Sequence, residues 1–453
     1  MALDIAPIPG RRHSGLTGRT YTPAPAATAD ANTSVATKRD GAIDAVRTVC
    51  LLGVVVLHAL MVGASPAADG TLATSVAMHG NAWFAPMTWI LQVMPMFFIA
   101  GGFASLAQWR RVRERGGHWT QYAALRIGRL LIPAAIMIFA VGTVIAIATA
   151  SGLNPDLAAE AGYRIGQPLW FLAVYLGVSG LVPAMAHLHD RAPALTLAAL
   201  AAGIVAVDVT RLVSSIEGIG FLNLAFAWLF AQQLGFALQD GWASAWSRRS
   251  LFAGLGGAVG AIALLVTLGP WSADLITNLN PPTIVLSLLA VAHWFLLRLV
   301  KPALDRRLAE PRAIRALSAA NPLAMTVYLW HMPIVMVLVG GMWAAGLPLP
   351  EPHSGAWWAT RLPWLLTIIV LVVAAAPTLS RIERIRLPSA DRLPAWRAVA
   401  MIALSVTGVA VVLLSGLGNF AAVLIGTGCA ALAIACSLRT PTDHPDARRK
   451  RHA

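Results

Sequence analysis

The sequence predicts an all-α polytopic membrane protein, because its composition and its apolar stretches both exclude a soluble fold. Of 453 residues, 57% are hydrophobic and 12% are charged, and the mean hydropathy is +0.68. A soluble domain carries about 25% charged and about 45–50% apolar residues. From residue 43 onward, long apolar stretches recur, each near the ~20 residues that a helix needs to cross ~30 Å of hydrocarbon. A soluble enzyme and a disordered chain are therefore excluded, and three cysteines are too few for a disulfide scaffold.

The apolar stretches predict about twelve transmembrane helices between two polar tails. The first tail, residues 1–40, is rich in Pro, Ala and Thr and cannot bury enough apolar surface to fold. A short basic tail, residues 438–453, follows the last helix. The predicted spans lie near 43–63, 82–107, 127–150, 169–186, 193–212, 219–238, 251–269, 282–300, 322–342, 361–378, 396–416 and 418–437.

The basic residues predict the topology. The chain carries 34 Lys and Arg against 20 Asp and Glu, a net charge of +14. Cytoplasmic loops of membrane proteins collect Lys and Arg. With a cytoplasmic N-terminus, thirty of the 34 fall inside, and only Arg164, Arg211 and Arg361 fall outside. This asymmetry predicts two cytoplasmic termini, an even number of helices and no nucleic-acid partner. The dominance of Arg over Lys is typical of a high-GC bacterium, so we expect the bacterial inner membrane.

Arg47 is the one basic residue left over, and it lies within the first helix. His58 follows eleven residues later, which at ~100° per residue is ~20° beyond three turns. Arg47 and His58 therefore share one helix face, ~16 Å apart along the axis. Ionisable residues within a span are costly and indicate function. Two structural alternatives stay open: Arg47 reaches the headgroups while paired with Asp44, and His58 forms a helix–helix hydrogen bond.

A second polar cluster lies in the ninth predicted helix. Thr326, Tyr328 and His331 precede Pro333, which frees a backbone carbonyl near the middle of the membrane. An interfacial role for the aromatic residues is the alternative, but their depth argues against it. The embedded histidines show no paired spacing of the His-x-x-His kind, so we predict no metal site.

Arg126 and Arg129 belong to a basic stretch that the topology places on the cytoplasmic side. Anchoring to anionic lipid is the ordinary role of such residues. The alternative is binding of phosphates on a cytoplasmic donor, because the guanidinium fork matches phosphate geometry.

Together these residues resemble membrane acyltransferase family 3, the integral-membrane O-acyltransferases. The resemblance covers about residues 39–387 and departs at Gly101, where many members have Ser. Its four motifs are Arg39-Asp-Gly-Ala-Ile-Asp44-Ala-Val-Arg47 with His58, Pro95-Met-Phe-Phe-Ile-Ala-Gly101-Gly102-Phe103, Gly166-Gln-Pro-Leu-Trp170-Phe-Leu172 and Met325-Thr-Val-Tyr328-Leu-Trp-His331-Met-Pro333.

The resemblance implies a reaction and a domain plan. Such a protein takes an acyl group, acetyl or another short acyl, from cytoplasmic acyl-CoA and transfers it to a hydroxyl of an external or membrane-bound glycan or lipid. It implies a ten-helix acyltransferase domain over 41–395, two additional helices over 396–437 and no bound cofactor. The partners expected are acyl-CoA, the glycan or lipid acceptor and the bilayer.

The resemblance also implies roles for the candidate residues. His58 would be the general base, with an acyl-imidazole intermediate on His58 as the variant. Arg47 would hold a phosphate or the thioester carbonyl of the donor, with Asp44 beside it. The other candidates would complete the same cavity: Tyr328 and His331 would orient the reacting groups, Trp170 would stack on the donor or the acceptor, and Arg126 and Arg129 would bind the CoA phosphates.

A different class of function stays open. A proton-coupled transporter or flippase would use Asp44, Arg47, His58 and His331 as a polar relay. The sequence shows no internal repeat of the kind that many transporters have, which favours acyl transfer.

Overall fold

In the computed structural model, residues 40–66, 72–78, 81, 83–385 and 393–438 are described. They are helical apart from one two-stranded sheet and short connections. Except for Asp40 and Leu438, the two predicted tails lie outside the described residues. The elements of the first half are α1 (Gly41–Met61), β1 (Val62–Pro66), β2 (Leu72–Val76), α2 (Phe84–Leu91), α3 (Met94–Glu114), α4 (Trp119–Ala150), α5 (Pro155–Gly166), α6 (Leu169–Gly180), α7 (Val182–Arg191) and α8 (Pro193–Ser214).

The second half is likewise helical. Two 3₁₀ turns, Glu217–Leu222 and Asn321–Leu323, precede α9 and α13 respectively. The helices are α9 (Asn223–Gln239), α10 (Arg248–Leu268), α11 (Ile284–Arg307), α12 (Pro311–Ala320), α13 (Ala324–Ala344), α14 (Gly355–Glu383), α15 (Ala395–Ser415) and α16 (Phe420–Ser437).

The predicted spans are present as long apolar helices, and the chain is an all-α multi-pass membrane protein. Within the described residues, eleven helices are long and apolar enough to cross a membrane. A twelfth span is obtained if the pair Pro155–Gly180 and Val182–Arg191, bent by 53°, is counted as one. The predicted segment 169–186 falls in this bent pair, which explains why its apolar run is short. The predicted segment 418–437 corresponds to α16.

The connections after odd-numbered spans lie together on one side, which we call the hairpin face. There β1 and β2 pair antiparallel, with Val62 opposite Val76. Thr74 of β2 donates to Glu160 of α5 at 2.9 Å, and the side chains of Asn81 and His353 are hydrogen-bonded at 2.9 Å. These contacts join segments that are distant in sequence, so these segments lie on one side of the bundle.

The connections after even-numbered spans meet on the opposite side, which we call the arginine-rich face. Arg110 forms ion pairs with Asp190 at 3.1 Å and with Asp240. Lys301 contacts Asp40 at 2.7 Å, where the chain enters α1. The Asp40 side chain also accepts from the Ile43 amide at 3.0 Å, so the N-cap of α1 is fixed on this face.

Two glycines allow α3 and α9 to touch backbone to backbone. A Cβ at Gly102 would lie 2.3 Å from the Gln232 carbonyl oxygen, and one at Gly235 would lie 2.2 Å from the Ile99 carbonyl oxygen. Small residues at a helix crossing permit this close approach in membranes. Gly102 of the second motif therefore serves helix packing. The same segment breaks at Gln92–Val93, just before Pro95, where α2 ends and α3 begins.

The last two helices pack on the rest of the bundle. A Cβ at Gly408 of α15 would lie 2.8 Å from the Gly426 carbonyl oxygen of α16, so these helices are also closely paired. A Cβ at Gly142 of α4 would lie 2.6 Å from a methyl group of Val423. The two helices therefore form one bundle with α4.

Candidate active site

A cavity of about 860 Å³ lies between α1, α4, α6, α13 and α14, and we call it the central cavity. Its lining runs from the arginine-rich face toward the hairpin face, where Gln92, Ile276 and Leu279 contribute. Helices α15 and α16 add Met401, Ile434 and Ser437 to the wall. The Arg, His and Glu side chains of the described residues that line it are Arg47, His58, Arg126, Arg129, Glu383 and Arg384.

Arg47 and His58 both line this cavity, as their shared helix face predicts. Arg47 lies in the second turn of α1, near the arginine-rich face, and His58 lies in the last turn, near the hairpin face. Between them, α1 contributes Leu51, Val54 and Leu57 to the lining. One helix thus carries a cation at one end of the cavity and an imidazole at the other.

His58 is in direct contact with His331. The His58 Nδ1 and His331 Nε2 atoms are 2.9 Å apart. The ring planes differ by 19°, and the ring centroids are 5.1 Å apart. This centroid separation is close to the N–N distance plus the radii of the two rings. The rings therefore meet edge to edge in nearly one plane, which is the geometry of an N–H···N hydrogen bond rather than of face-to-face stacking.

A backbone contact assigns the proton in this pair. His331 Nδ1 lies 2.6 Å from the Tyr328 carbonyl oxygen, which only accepts, so His331 Nδ1 carries the hydrogen. In a neutral His331 the Nε2 atom is then an acceptor, and His58 Nδ1 must donate to it. The second nitrogen of His58, Nε2, is left with a lone pair. The pair thereby fixes the tautomer of the one imidazole that lines the cavity.

His331 itself is fully buried and contacts the cavity through His58. The expectation that Tyr328 and His331 line one cavity therefore holds directly for Tyr328 only. The Tyr328 hydroxyl donates to the Pro168 carbonyl at 2.5 Å, which ties α13 to the start of α6. Tyr328 is thus a fixed wall residue. Beside it Trp170, in the first turn of α6, is half-buried and lines the cavity.

At the other end of the cavity, Arg47 is only loosely paired. Its guanidinium lies 4.0 Å from Asp44, at the limit of an ion pair, and its buried Nε has no hydrogen-bond partner among the described residues. Asp44 is not among the described residues that line the cavity. The predicted Asp44–Arg47 pair is therefore present but weak, and Arg47 keeps donors for a further partner.

Arg126 is held by a tyrosine that the sequence analysis did not single out. It donates to the Tyr175 hydroxyl at 2.5 Å and lies 5.4 Å from the centre of the same ring. A Cβ at Gly101 would lie 3.1 Å from that hydroxyl, so Gly101 leaves room for the Arg126–Tyr175 contact. Arg129 lies one turn further along α4, is more exposed and also lines the cavity.

Glu383 is a second site residue that the sequence analysis missed. It is mostly buried at the end of α14, where it accepts from the Thr326 hydroxyl at 2.5 Å and from the Trp330 indole N–H at 2.7 Å. Thr326 and Trp330 are one turn apart on α13, directly before His331. Glu383 therefore fixes the helix that carries His331, and only the tertiary structure reveals this contact over more than fifty residues.

Metal ligation has no support in the described part of the chain. Within it, no group of three or more His, Cys, Asp or Glu side chains is placed to hold an ion. The His58–His331 pair brings together two nitrogens that the sequence suggested were isolated, but they bind each other.

The comparison with protein families decides the identity. The family model described as "Acyltransferase domain" matches residues 40–381, which covers about three quarters of the 453 residues. The chain belongs to this family. Searches among curated proteins and among solved structures found no significant match. The matched region contains all the candidate residues above except Glu383 and Arg384, and it ends before the last two helices of this membrane acyltransferase.

Proposed function

We propose that the protein transfers a short acyl group, such as acetyl, from cytoplasmic acyl-CoA to a hydroxyl of an external or membrane-bound glycan or lipid. The observation that carries the proposal is the His58–His331 contact inside a cavity whose other end is lined by arginines. In this proposal the arginine-rich face is cytoplasmic and the hairpin face is external, in the bacterial inner membrane. No other cofactor is required.

His58 is the proposed general base. Its Nε2 lone pair removes the proton of the acceptor hydroxyl while that oxygen attacks the thioester carbonyl. The C–S bond then breaks, and the protonated His58 returns the proton to the CoA thiolate. His331 accepts a hydrogen bond from His58 Nδ1 throughout, which holds the ring in place and stabilises the imidazolium. Attack by His58 itself, forming an acyl-imidazole, is the variant.

The arginines are the proposed donor site. Arg47 and Arg126 both line the cavity and each has a buried Nε without a partner among the described residues. Guanidinium groups bind phosphate oxygens through two parallel N–H bonds. Arg126 and Arg129 would therefore hold CoA phosphates, Arg47 a phosphate or the thioester carbonyl, and Trp170 would stack on donor or acceptor.

A proton-coupled transporter or flippase fits the site less well. A relay needs titratable groups in sequence, but the Asp44–Arg47 and His58–His331 pairs are separated by eleven residues of α1, about 16 Å. The α1 residues that line the cavity between them are Leu51, Val54 and Leu57. Family membership also favours acyl transfer.

The test uses the purified protein in lipid nanodiscs with radiolabelled acetyl-CoA and a lipid and glycan extract of the source organism. His58→Ala should lower both CoA release and label transfer about 10²–10⁴-fold, the usual contribution of a general base. His293→Ala is the matched control, because His293 lies in α11 and is not among the described residues that line the cavity.

Two results would contradict the proposal. Wild-type rates in His58→Ala would remove His58 from the mechanism. Flux of substrate across vesicles that contain the wild-type protein, with no consumption of acetyl-CoA, would favour the transporter instead.

A further inference from the structure

A second, smaller cavity of about 240 Å³ opens on the hairpin face, between β1, α13 and the first turns of α14. We call it the Trp357 pocket. Its walls are mostly apolar, with Val62, Leu338 and Leu349 among them. Among the described residues that line it, Arg361 is the one with a charge. A cation set in an apolar wall at the end of a membrane span is costly unless it has a partner, so Arg361 is a candidate ligand-binding residue.

Aromatic side chains hold the Arg361 guanidinium. Its central carbon lies 4.3 Å from the ring centre of Trp357 and 5.5 Å from that of Trp364. Its Nε donates to the Trp357 carbonyl at 3.0 Å, and one further N–H makes a long contact of 3.4 Å with the Thr360 hydroxyl. Trp357 is itself buried. The two indole rings thus hold the guanidinium in place. Three of its five N–H groups have no acceptor in the described part of the chain.

Arg361 differs in this respect from the other arginines of the hairpin face. Arg164 pairs with Glu160 at 2.7 Å and Arg211 pairs with Glu217 at 3.1 Å. No carboxylate of the described residues lies within 4.0 Å of Arg361. Of the three basic residues that the sequence places on this side, one therefore lacks a counter-ion in the described structure.

The surroundings of the pocket indicate an amphiphilic ligand. Leu362 and Leu366 of α14, next to Arg361, are exposed to 66% and 53%, so this helix faces lipid. An anion bound at Arg361 would have an apolar wall on one side and the hydrocarbon of the bilayer on the other. A guanidinium with free N–H groups matches the paired oxygens of a phosphate or a carboxylate.

The pocket is also attached to the candidate active site. The indole N–H of Trp364 donates to the Ala59 carbonyl at 2.9 Å, and Ala59 follows His58 directly. The helix that carries Arg361 is therefore tied, through Trp364, to the end of α1 that carries the imidazole.

We propose that the Trp357 pocket binds the anionic headgroup of a lipid through the Arg361 guanidinium. Its extension, which rests on the function proposed above, is that this lipid is the acyl acceptor or carries it. Lipid binding and acyl transfer are separate measurements, so each claim can fail alone.

Binding is measured on the full-length protein in neutral detergent by thermophoresis. The probes are lysophosphatidic acid, oleate, monooleoylglycerol as the neutral lipid, and inorganic phosphate as the free anion. We expect both anionic lipids to bind, the neutral lipid not to bind, and inorganic phosphate to bind at least tenfold more weakly than lysophosphatidic acid.

Arg361→Gln should weaken binding of lysophosphatidic acid about 10–100-fold, the range of a hydrogen bond to a charged group. Arg361→Lys keeps the charge but loses the planar guanidinium fork, so its affinity for lysophosphatidic acid should lie between those of Arg361→Gln and wild type. This variant also tests the site if the glutamine variant is unstable. Arg211→Gln is the matched control and should bind as wild type, because Arg211 is paired and is not part of the pocket.

Equal binding of the neutral and the anionic lipids, or wild-type affinity in Arg361→Gln, would contradict the proposal that Arg361 binds an anionic headgroup in this pocket. If the site stands, Arg361→Gln should raise the KM for the acceptor in the transfer assay and leave the KM for acetyl-CoA unchanged. Wild-type acceptor kinetics in that variant would overturn the extension alone. Lipid binding without any acyl transfer by the wild type would leave the site and refute the proposed function.

Discussion

The two ends of the central cavity differ in how their polar groups are satisfied. At the hairpin end, His58 and His331 bind each other and the Tyr328 carbonyl, so the protein itself completes the hydrogen bonds of the pair. At the arginine end, Arg47 and Arg126 keep buried nitrogens without a partner among the described residues. A buried polar group left unpaired costs free energy, so a ligand that supplies acceptors would be favoured at this end.

The contrast separates chemistry from binding. A histidine pair whose tautomer is fixed in advance suits proton transfer, since no rearrangement is needed at the moment of reaction. Arginines with free donors suit a ligand that brings its own negative charge, as CoA does. Variants at the histidine end should therefore change kcat, and variants at the arginine end should change the KM for the donor.

After the loss of His58 itself, the largest effect is expected from His331→Phe. The variant keeps a ring of similar size but removes the acceptor that holds His58 Nδ1. A misplaced base costs about 10²-fold in rate, so kcat should fall by about this factor while the KM for acetyl-CoA stays near wild type. Steady-state kinetics in nanodiscs measure both, with His293→Phe as control. An unchanged kcat would mean that His331 does not position the base.

Arg126→Gln should show the opposite pattern. It removes a charged donor from the cavity wall and leaves the histidine pair intact, so the KM for acetyl-CoA should rise about 10–100-fold with a smaller change in kcat. Arg248→Gln is the control, because Arg248 is exposed at the start of α10. A loss in kcat at constant KM would place Arg126 in the chemical step and remove the distinction between the two ends.

Local pattern was enough to predict the helices and one face of the site. Transmembrane spans depend on length and apolarity, which the sequence displays directly, and the Arg47–His58 face follows from the helix period. The resemblance placed His331 in the same cavity as His58, and a helix–helix hydrogen bond of His58 was an open alternative, but the partner in each direct contact between helices was not predicted. His331 meets His58 from 273 residues away, and Tyr175 meets Arg126 from 49.

These partners were missed for a physical reason. Tyr175 lies in an apolar helix and Glu383 lies at the end of one. In neither place does the local sequence distinguish a side chain that contacts another helix from one that does not. The bent pair of helices around residue 181 was recognised only as a short apolar run, because a bend leaves little trace in composition.

Glu383→Gln tests whether a change at the arginine end of the central cavity alters the histidine pair at the other end. The Thr326 hydroxyl and the Trp330 indole each donate to one carboxylate oxygen. An amide keeps one acceptor for the indole and presents N–H groups to the hydroxyl, which must reorient to accept, so the Thr326 contact is disturbed. We expect a loss of about 1–3 kcal/mol in stability, measured as a lower Tm in detergent, together with a lower kcat. Glu310→Gln, at an exposed carboxylate, is the control. A lower Tm with wild-type kcat would show that Glu383 supports the fold but does not position His331.

The smallest effect is expected from Gly101→Ser, which places the side chain that many family members carry beside the Arg126–Tyr175 contact. The new Cβ would lie 3.1 Å from the Tyr175 hydroxyl, so the tyrosine must shift by a few tenths of an ångström. Overpacking of this kind costs about 1–3 kcal/mol, and we expect the lower end because the neighbour is the tip of a side chain. The KM for acetyl-CoA should rise less than in Arg126→Gln, and kcat should not change. Gly257→Ser in α10 is the control, because a Cβ at Gly257 meets no described atom within 4 Å and Gly257 is not among the described residues that line the cavity. A fall in kcat would show that Tyr175 of α6 contacts the reacting groups. Tyr175 would then belong to the part of the cavity that carries out the chemical step and not only to the part that binds the donor.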